Sequence, residues 1–155
     1  MNSSKTIYLS KKGMKELKKK ITRLEHDYQT AVAALRDLDK TDGRDERLSR
    51  IEQLAAIETI ETSLADSKLI LSHAKLMPRK RDALKVAIGS VVDLLDTQGR
   101  IVRYTLVDSI EANPSDGRIS IKSPLGSTLL GKQIQDIIEW NTRLNTTRLQ
   151  LVGIG

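Results

Sequence analysis

The sequence predicts an α+β fold: an N-terminal antiparallel coiled-coil helical hairpin, followed by a small antiparallel β-sheet domain with one short helix. Three observations predict it. Between Gly13 and Pro78 there is no proline and a single glycine, Gly43, and these two residue types are the usual helix interrupters. Within that stretch apolar residues recur at steps of three and four, the rhythm of a helix–helix seam. After Pro78 the pattern changes to short apolar runs, some alternating with period two, separated by turn residues, as in strands.

Ser10 follows the apolar Leu9 and is a good N-cap for the first helix. The seam of that helix runs through Met14, Leu17, Ile21, Leu24, Tyr28, Val32 (or Ala31), Leu35 and Leu38. The break comes at Asp37-Leu-Asp-Lys-Thr-Asp-Gly-Arg-Asp-Glu46, where turn chemistry and five acids between positions 37 and 47 coincide. The second helix carries Leu48, Ile51, Leu54, Ile57, Ile60, Leu64, Ile70 and Leu71, and fades near His73 to Pro78. Each arm of about 30 residues would be about 45 Å long. The expected domains are a hairpin over 1–77 with its tip at about 37–47, a linker over 78–85 containing Arg79, Lys80 and Arg81, and a sheet domain over 86–155.

In the sheet domain, Val86 to Leu95 is strand-like and ends at Asp96-Thr-Gln-Gly99. Ile101 to Val107 alternates with period two. Asn113-Pro-Ser-Asp-Gly117 is a turn, and Arg118 to Lys122 a short strand. Ser123-Pro124 starts a short helix that stops at Gly131, with proline in its first turn. Ile134–Trp140 and Thr147–Val152 complete the sheet.

The net charge is +6, which favours an anionic partner. It is unevenly spread. Residues 11–25 hold seven basic side chains against Glu16 and Glu25, so the base of the hairpin is positive and its tip negative. There is no cysteine, which excludes disulfides and thiolate metal sites. No apolar leader and no membrane-length apolar run stand in the sequence, so a cytoplasmic protein is expected. His26 and His73 have no partner at zinc-ligand spacing and read as ordinary histidines.

Four features resemble the Gre-type transcription factors that bind bacterial RNA polymerase. They are Leu9-Ser-Lys-Lys-Gly13 with Leu17, Gly89-Ser-Val-Val92, Ile119-Ser-Ile-Lys-Ser-Pro-Leu-Gly126 with Leu129-Leu-Gly-Lys132, and the order of hairpin, linker and sheet domain. The resemblance implies a C-terminal domain like the FK506-binding proteins, docked at the rim of the polymerase secondary channel. It assigns docking to Ser123, Pro124, Leu125, Gly126, Gly131 and Lys132. It implies a hairpin that enters the channel and assists cleavage of a backtracked RNA 3′ end. Asp39 and Asp42 would help hold a Mg²⁺ shared with the polymerase active site, with Asp45 and Glu46 in support. Lys11, Lys15, Lys18 and Lys19 would face RNA or an acidic polymerase surface. No activity is expected of the chain alone, no cofactor bound outside the complex, no membrane partner, and a monomer.

The tip departs from the pattern of cleavage-active members, Gly-Asp-x-x-Glu-Asn-Ala-Glu-Tyr. Here Asp39-Lys-Thr-Asp42 keeps the acid–x–x–acid spacing with shorter side chains, and Gly43-Arg-Asp-Glu46 replaces the rest. The hairpin also looks shorter than in those members by about one turn per arm, or about 5 Å each. Two uses of the tip stay open: Asp39 and Asp42 as a Mg²⁺-holding pair, or Asp37, Asp39, Asp42 and Asp45 as an acidic plug that occupies the channel and inhibits. The same acids could also be a solvated turn without chemistry. Two other classes compete. A prolyl isomerase would need an aromatic-lined pocket, for which this domain offers only Tyr104 and Trp140 and no phenylalanine. A generic coiled-coil adaptor would bind through the hairpin flank and ignore changes at the tip.

Overall fold

A computed structural model describes residues 5–38, 44–78, 84–141 and 144–155, with the backbone alone for Arg44 and Asp45. Among the described residues the chain divides into two compact units: Lys5 with residues 12–74, and residues 6–11 with residues 75–155.

The first unit is the helical hairpin. Helix α1 spans Lys11–Leu38 and α2 spans Arg44–His73. They run antiparallel, as two cross-links show: the Gln53 side-chain amide donates to the Ala31 carbonyl at 2.9 Å, and Lys68 pairs with Glu25 at 3.3 Å. In α1, Leu17, Ile21 and Ala31 are buried, and Met14, Leu24, Tyr28, Val32, Leu35 and Leu38 are half-buried along the same stripe. That is the expected seam, with Ala31 as its best-covered member.

The seam of α2 departs from expectation in its first half. Ile57 is buried, and Ile60, Leu64, Ile70 and Leu71 are half-buried. Leu48, Ile51 and Leu54 are instead exposed by 61, 64 and 48%. The reason is helical geometry. A step of three residues advances about 300°, so each such step falls about 60° short of a full turn. From Ile57 back to Leu48 are three such steps, which carry Leu48 to the opposite side of the helix. Gln53 and, further along, the buried Ser67 occupy the seam in α2.

The second unit holds two sheets. Strands β1 (Ile7–Leu9) and β2 (Ala74–Leu76) form a two-stranded ribbon. The Met77 amide donates to the Leu9 carbonyl at 2.9 Å. Glu111 accepts from both the backbone N–H and the hydroxyl of Ser10, the residue just ahead of α1. The larger sheet contains β3 (Val91–Leu95), β4 (Ile101–Val107), β5 (Arg118–Ser120), β6 (Ile137–Asn141) and β7 (Thr146–Ile154), in the order β5-β4-β3-β7-β6. Three pairs are antiparallel, but β4 and β5 are parallel, so the sheet is mixed rather than purely antiparallel. Two short 3₁₀ turns, Ser109–Glu111 and Pro114–Asp116, lie in the crossover that lets β5 return in the same direction as β4.

Helix α3 (Pro124–Leu129) touches both β5 and β6, the two edge strands, so the sheet curls around it. The core lies inside this curl: Val92, Leu94, Leu106, Leu129 and Leu151 are fully buried, with Val86, Ile119, Leu125, Ile138 and Leu149 around them. The strand-like run from Val86 turns at Gly89 (φ +87°) and becomes β3 only at Val91. Within that turn the Val86 N–H donates to the Lys132 carbonyl at 2.9 Å.

Candidate functional site

Three groups of residues carry the functional expectation, and each is best described within its own unit. The basic group lies on α1. Lys11, Lys15, Lys18 and Lys19 are exposed, as are Lys12 and Arg23. At about 100° per residue Lys12, Lys15, Lys19 and Arg23 fall on the side of the helix away from Leu17 and Ile21, and Lys11 and Lys18 on its flank. Glu16 lies four residues from Lys12 and Glu25 seven from Lys18, so the stripe is positive in balance and not free of acids. Its one histidine, His26, is also exposed.

The second group is the Ser-Pro-Leu-Gly turn and α3. The Ser123 hydroxyl accepts from the Gly126 N–H at 3.0 Å and donates to the Ser120 carbonyl at 2.6 Å, capping the helix and tying it to β5. Pro124 stands in the first turn, where its missing N–H costs nothing. Leu125 and Leu129 are buried in the core. Gly126 has a steric reason: a Cβ there would fall on the Ser120 carbonyl oxygen and within 2.9 Å of its carbon. Gly131 (φ +81°) takes the left-handed conformation that ends the helix, and its N–H donates to the Val86 carbonyl at 2.8 Å. The expected docking residues therefore divide. Ser123, Leu125 and Gly126 are committed to the fold, Lys132 is half-buried with its backbone bonded to Val86, and Pro124 and Gly131 remain exposed. Exposed Lys122, Ser127 and Leu130 flank them.

The third group is the acidic tip. Asp39 and Asp42, the expected metal-holding pair, lie outside the described residues, as do Arg79, Lys80 and Arg81 of the expected linker. The backbone of Asp45 is in the first turn of α2. Glu46 is half-buried and Asp37 exposed. Among the described residues no three His, Asp or Glu side chains gather to hold a metal ion. Also among them, no helix is long and apolar enough to cross a membrane.

The face of the sheet away from the core carries two ion pairs, Asp93–Arg103 at 2.8 Å and Glu139–Arg148 at 2.9 Å. The Arg103 guanidinium hydrogen-bonds the Asp93 carboxylate and holds it below its ordinary pKa; the same bond raises Arg103. Nearby is a shallow open depression of about 190 Å³ lined by Leu95, Asp96, Thr97, Ile137, Arg148 and Gln150, with no aromatic side chain. Tyr104 and Trp140 pack against the core instead. That arrangement does not supply the aromatic cradle a prolyl isomerase would need.

Sequence reasoning missed Glu111, whose link to Ser10 spans 101 residues of chain and has no local signal. It also missed Gln53. Tracing the seam back from Ile57 by a step of four, not three, would have found it.

A lysine-faced helical hairpin and a curled mixed sheet closed by a Ser-Pro-capped helix make up the two units. A family model described as the C-terminal part of the transcription elongation factors GreA/GreB matches residues 81–155. The chain is 30% identical to the transcription elongation factor GreA of Thermoanaerobacter pseudethanolicus, over 97% of this chain and 98% of that one. It is 32% identical to GreA of Chloroherpeton thalassium, over 98% of each. Among solved structures, GreA factor homolog 1 (Gfh1) of Thermus thermophilus is 26% identical, with a TM-score of 0.45 over 97% of this chain and 99% of that one. The chain belongs to the GreA/GreB family of transcription elongation factors.

Proposed function

We propose that this protein binds bacterial RNA polymerase, inserts its hairpin tip into the secondary channel, and stimulates cleavage of backtracked RNA. The observation that carries this reading is the match to GreA factors over essentially the full length of both chains, hairpin included. The sheet unit would dock at the channel rim through the exposed part of its α3 turn, Pro124 and Gly131 with Lys132. The basic stripe of α1 would face RNA or an acidic polymerase surface, and phosphate contact there would show as a steep salt dependence.

The donor chemistry of the tip suits Mg²⁺, which takes hard carboxylate oxygens and keeps several waters. Asp39 and Asp42 would contribute to such an ion within the polymerase complex, where it would supply charge stabilisation and an activated water for phosphodiester hydrolysis. The chain's own part is to position those carboxylates. The hydrolytic centre is the polymerase's, so the factor modulates an enzyme without being one, and acts as a monomer.

One observation favours a second reading. Asp42 stands where cleavage-active members have a longer glutamate, and Gly43-Arg44 stand where their Asn-Ala follows. A shorter reach could fill the channel and inhibit without assembling the cleavage site. The deciding experiment adds purified protein to stalled, backtracked elongation complexes. Release of short 3′ RNA fragments, abolished by Asp39→Ala with Asp42→Ala while binding persists, supports cleavage. Slowed nucleotide addition without fragment release assigns the inhibitory role.

A further inference from the structure

The start of α1 is held by a residue far away in the chain. One carboxylate oxygen of Glu111 accepts the Ser10 N–H at 2.9 Å, and the other accepts the Ser10 hydroxyl. Both residues are half-buried and belong to the sheet unit, as does Lys11, the first residue of α1. Two bonds from one residue to a carboxylate are strong and fix a geometry. The local sequence is otherwise ill suited to a helix start. The first turn of α1 contains no acid and opens with Lys11 and Lys12, opposite in sign to what the helix dipole favours there. Glu111 brings the lacking negative charge from 101 residues further along.

Glu111 is itself tied into the sheet unit. It closes the 3₁₀ turn Ser109–Glu111, in which the Asp108 side chain accepts from the Ile110 N–H at 3.2 Å and the Asp108 carbonyl from the Glu111 N–H at 2.9 Å. At the other end of the turn the Ser109 hydroxyl meets the Ser120 hydroxyl at 2.7 Å. The Ser120 carbonyl accepts from the Ser123 hydroxyl at 2.6 Å, and Ser123 caps α3. Hydrogen bonds and one short turn of backbone thus run without a gap from the α3 turn through Ser120, Ser109 and Glu111 to Ser10. The β1–β2 ribbon has a different effect. It joins the segments that lead into and out of the hairpin to each other, whereas Glu111 joins the start of α1 to the crossover between β4 and β5.

We propose that Glu111 is a positioning residue: by holding Ser10 it fixes the start of α1 to the docked sheet unit, so that the acids at the hairpin turn are delivered to one place. This rests on the polymerase-binding reading above, and adds to it a residue that touches neither RNA nor metal. The physical reason is leverage. Helix α1 has 28 residues. At about 1.5 Å each it is about 42 Å long, and a tilt of about 5° at its start moves its far end by about 4 Å. A misplacement of about 1 Å at a reacting centre can cost on the order of a hundredfold in rate.

The test titrates the full chain into backtracked elongation complexes of bacterial RNA polymerase. It separates the half-saturating concentration from the maximal effect at saturation, read as 3′ fragment release or as slowed nucleotide addition, whichever the wild type shows. Glu111→Ala should leave the half-saturating concentration unchanged and lower the maximal effect at least about tenfold. Glu111→Gln keeps the packing and one acceptor oxygen; it should fall in between, and it decides the matter if Glu111→Ala fails to fold. Ser10→Ala loses only the hydroxyl bond and should cost about threefold. Ser10→Thr keeps the hydroxyl and should match the wild type. Adding Ser10→Ala to Glu111→Ala should cost nothing further, because both remove the same link. Without polymerase, Glu111→Ala should speed hydrogen exchange of the Ser10 amide at least about tenfold, while amides of β3 and β4 keep their protection. An unchanged Ser10 exchange rate overturns the link. Faster exchange with an unchanged maximal effect overturns the positioning role and leaves the polymerase reading intact. Loss of affinity in step with loss of effect places Glu111 in docking or folding and overturns positioning. A wild type that does not bind polymerase overturns both readings.

Discussion

Side chains of the sheet unit such as Leu94, Leu106 and Leu129 keep no exposed surface, whereas the best-covered apolar residues of the hairpin, Leu17, Ile21, Ala31 and Ile57, retain 7–9%. Two helices meet along one line, and water reaches that line from both flanks. A curled sheet closed by a helix has an inside. The difference explains why the hairpin accepts the half-buried Gln53 in its seam, while the fully enclosed cluster of the sheet unit is built of valine, leucine and isoleucine. It also separates two kinds of constraint. The sheet unit is held by packing, and the hairpin by the repeat of its sequence.

Substitutions can sharpen or break this contrast. The largest loss is expected from Leu129→Ala, about 3 kcal/mol in chemical denaturation followed by a probe in the sheet unit. A loss below about 1 kcal/mol would show that the curl is not sealed. Gly126→Ala comes next at about 2 kcal/mol, because the new methyl group meets backbone of β5 rather than a movable side chain. In the hairpin, Gln53→Ala should cost about 1 kcal/mol by removing the hydrogen bond to Ala31, read by the loss of helical circular dichroism on heating. An effect as large as that of Leu129→Ala would show the hairpin to be packed like the sheet core.

The smallest effect belongs to Asp93→Asn on the open face of the sheet. The bond from Arg103 lowers the Asp93 pKa in the folded state, so its stabilisation is complete above the ordinary carboxylate value of about 4. It disappears as pH falls through the lower folded-state value. Wild type and Asp93→Asn should therefore differ slightly in melting temperature at pH 7 and converge in strong acid. A difference that grows on acidification would contradict the pairing.

Several elements were legible because their signals are local. Helix α1 shows its cap at Ser10 and an unbroken alternation of three and four. Strand β4 shows a period-two alternation over residues 102–106, and α3 shows Ser123-Pro124 at one end and Gly131 at the other. In the Ser-Pro-Leu-Gly motif the residue types were readable, but not all of what they are spent on. Ser123 reads as a helix cap, whereas its bond to the Ser120 carbonyl and the tight fit of Gly126 against that carbonyl arise because β5 lies beside them. The three-residue strands β1 and β2 are too short to show any period. The steps of three from Leu48 to Ile57 imitate a seam on paper while winding around the helix.

The sequence by itself determined that two long helices flank an acidic segment and that a strand-rich domain follows. Helix periodicity, capping and turn chemistry act between residues a few positions apart, and they can be read without knowing what lies opposite. Only the tertiary structure decided which stripe of α2 meets α1, that β5 runs parallel to β4, and that Glu111 holds Ser10. Those outcomes depend on pairs brought together from distant parts of the chain, where burial and hydrogen bonding are settled by the partner rather than by the neighbours in sequence.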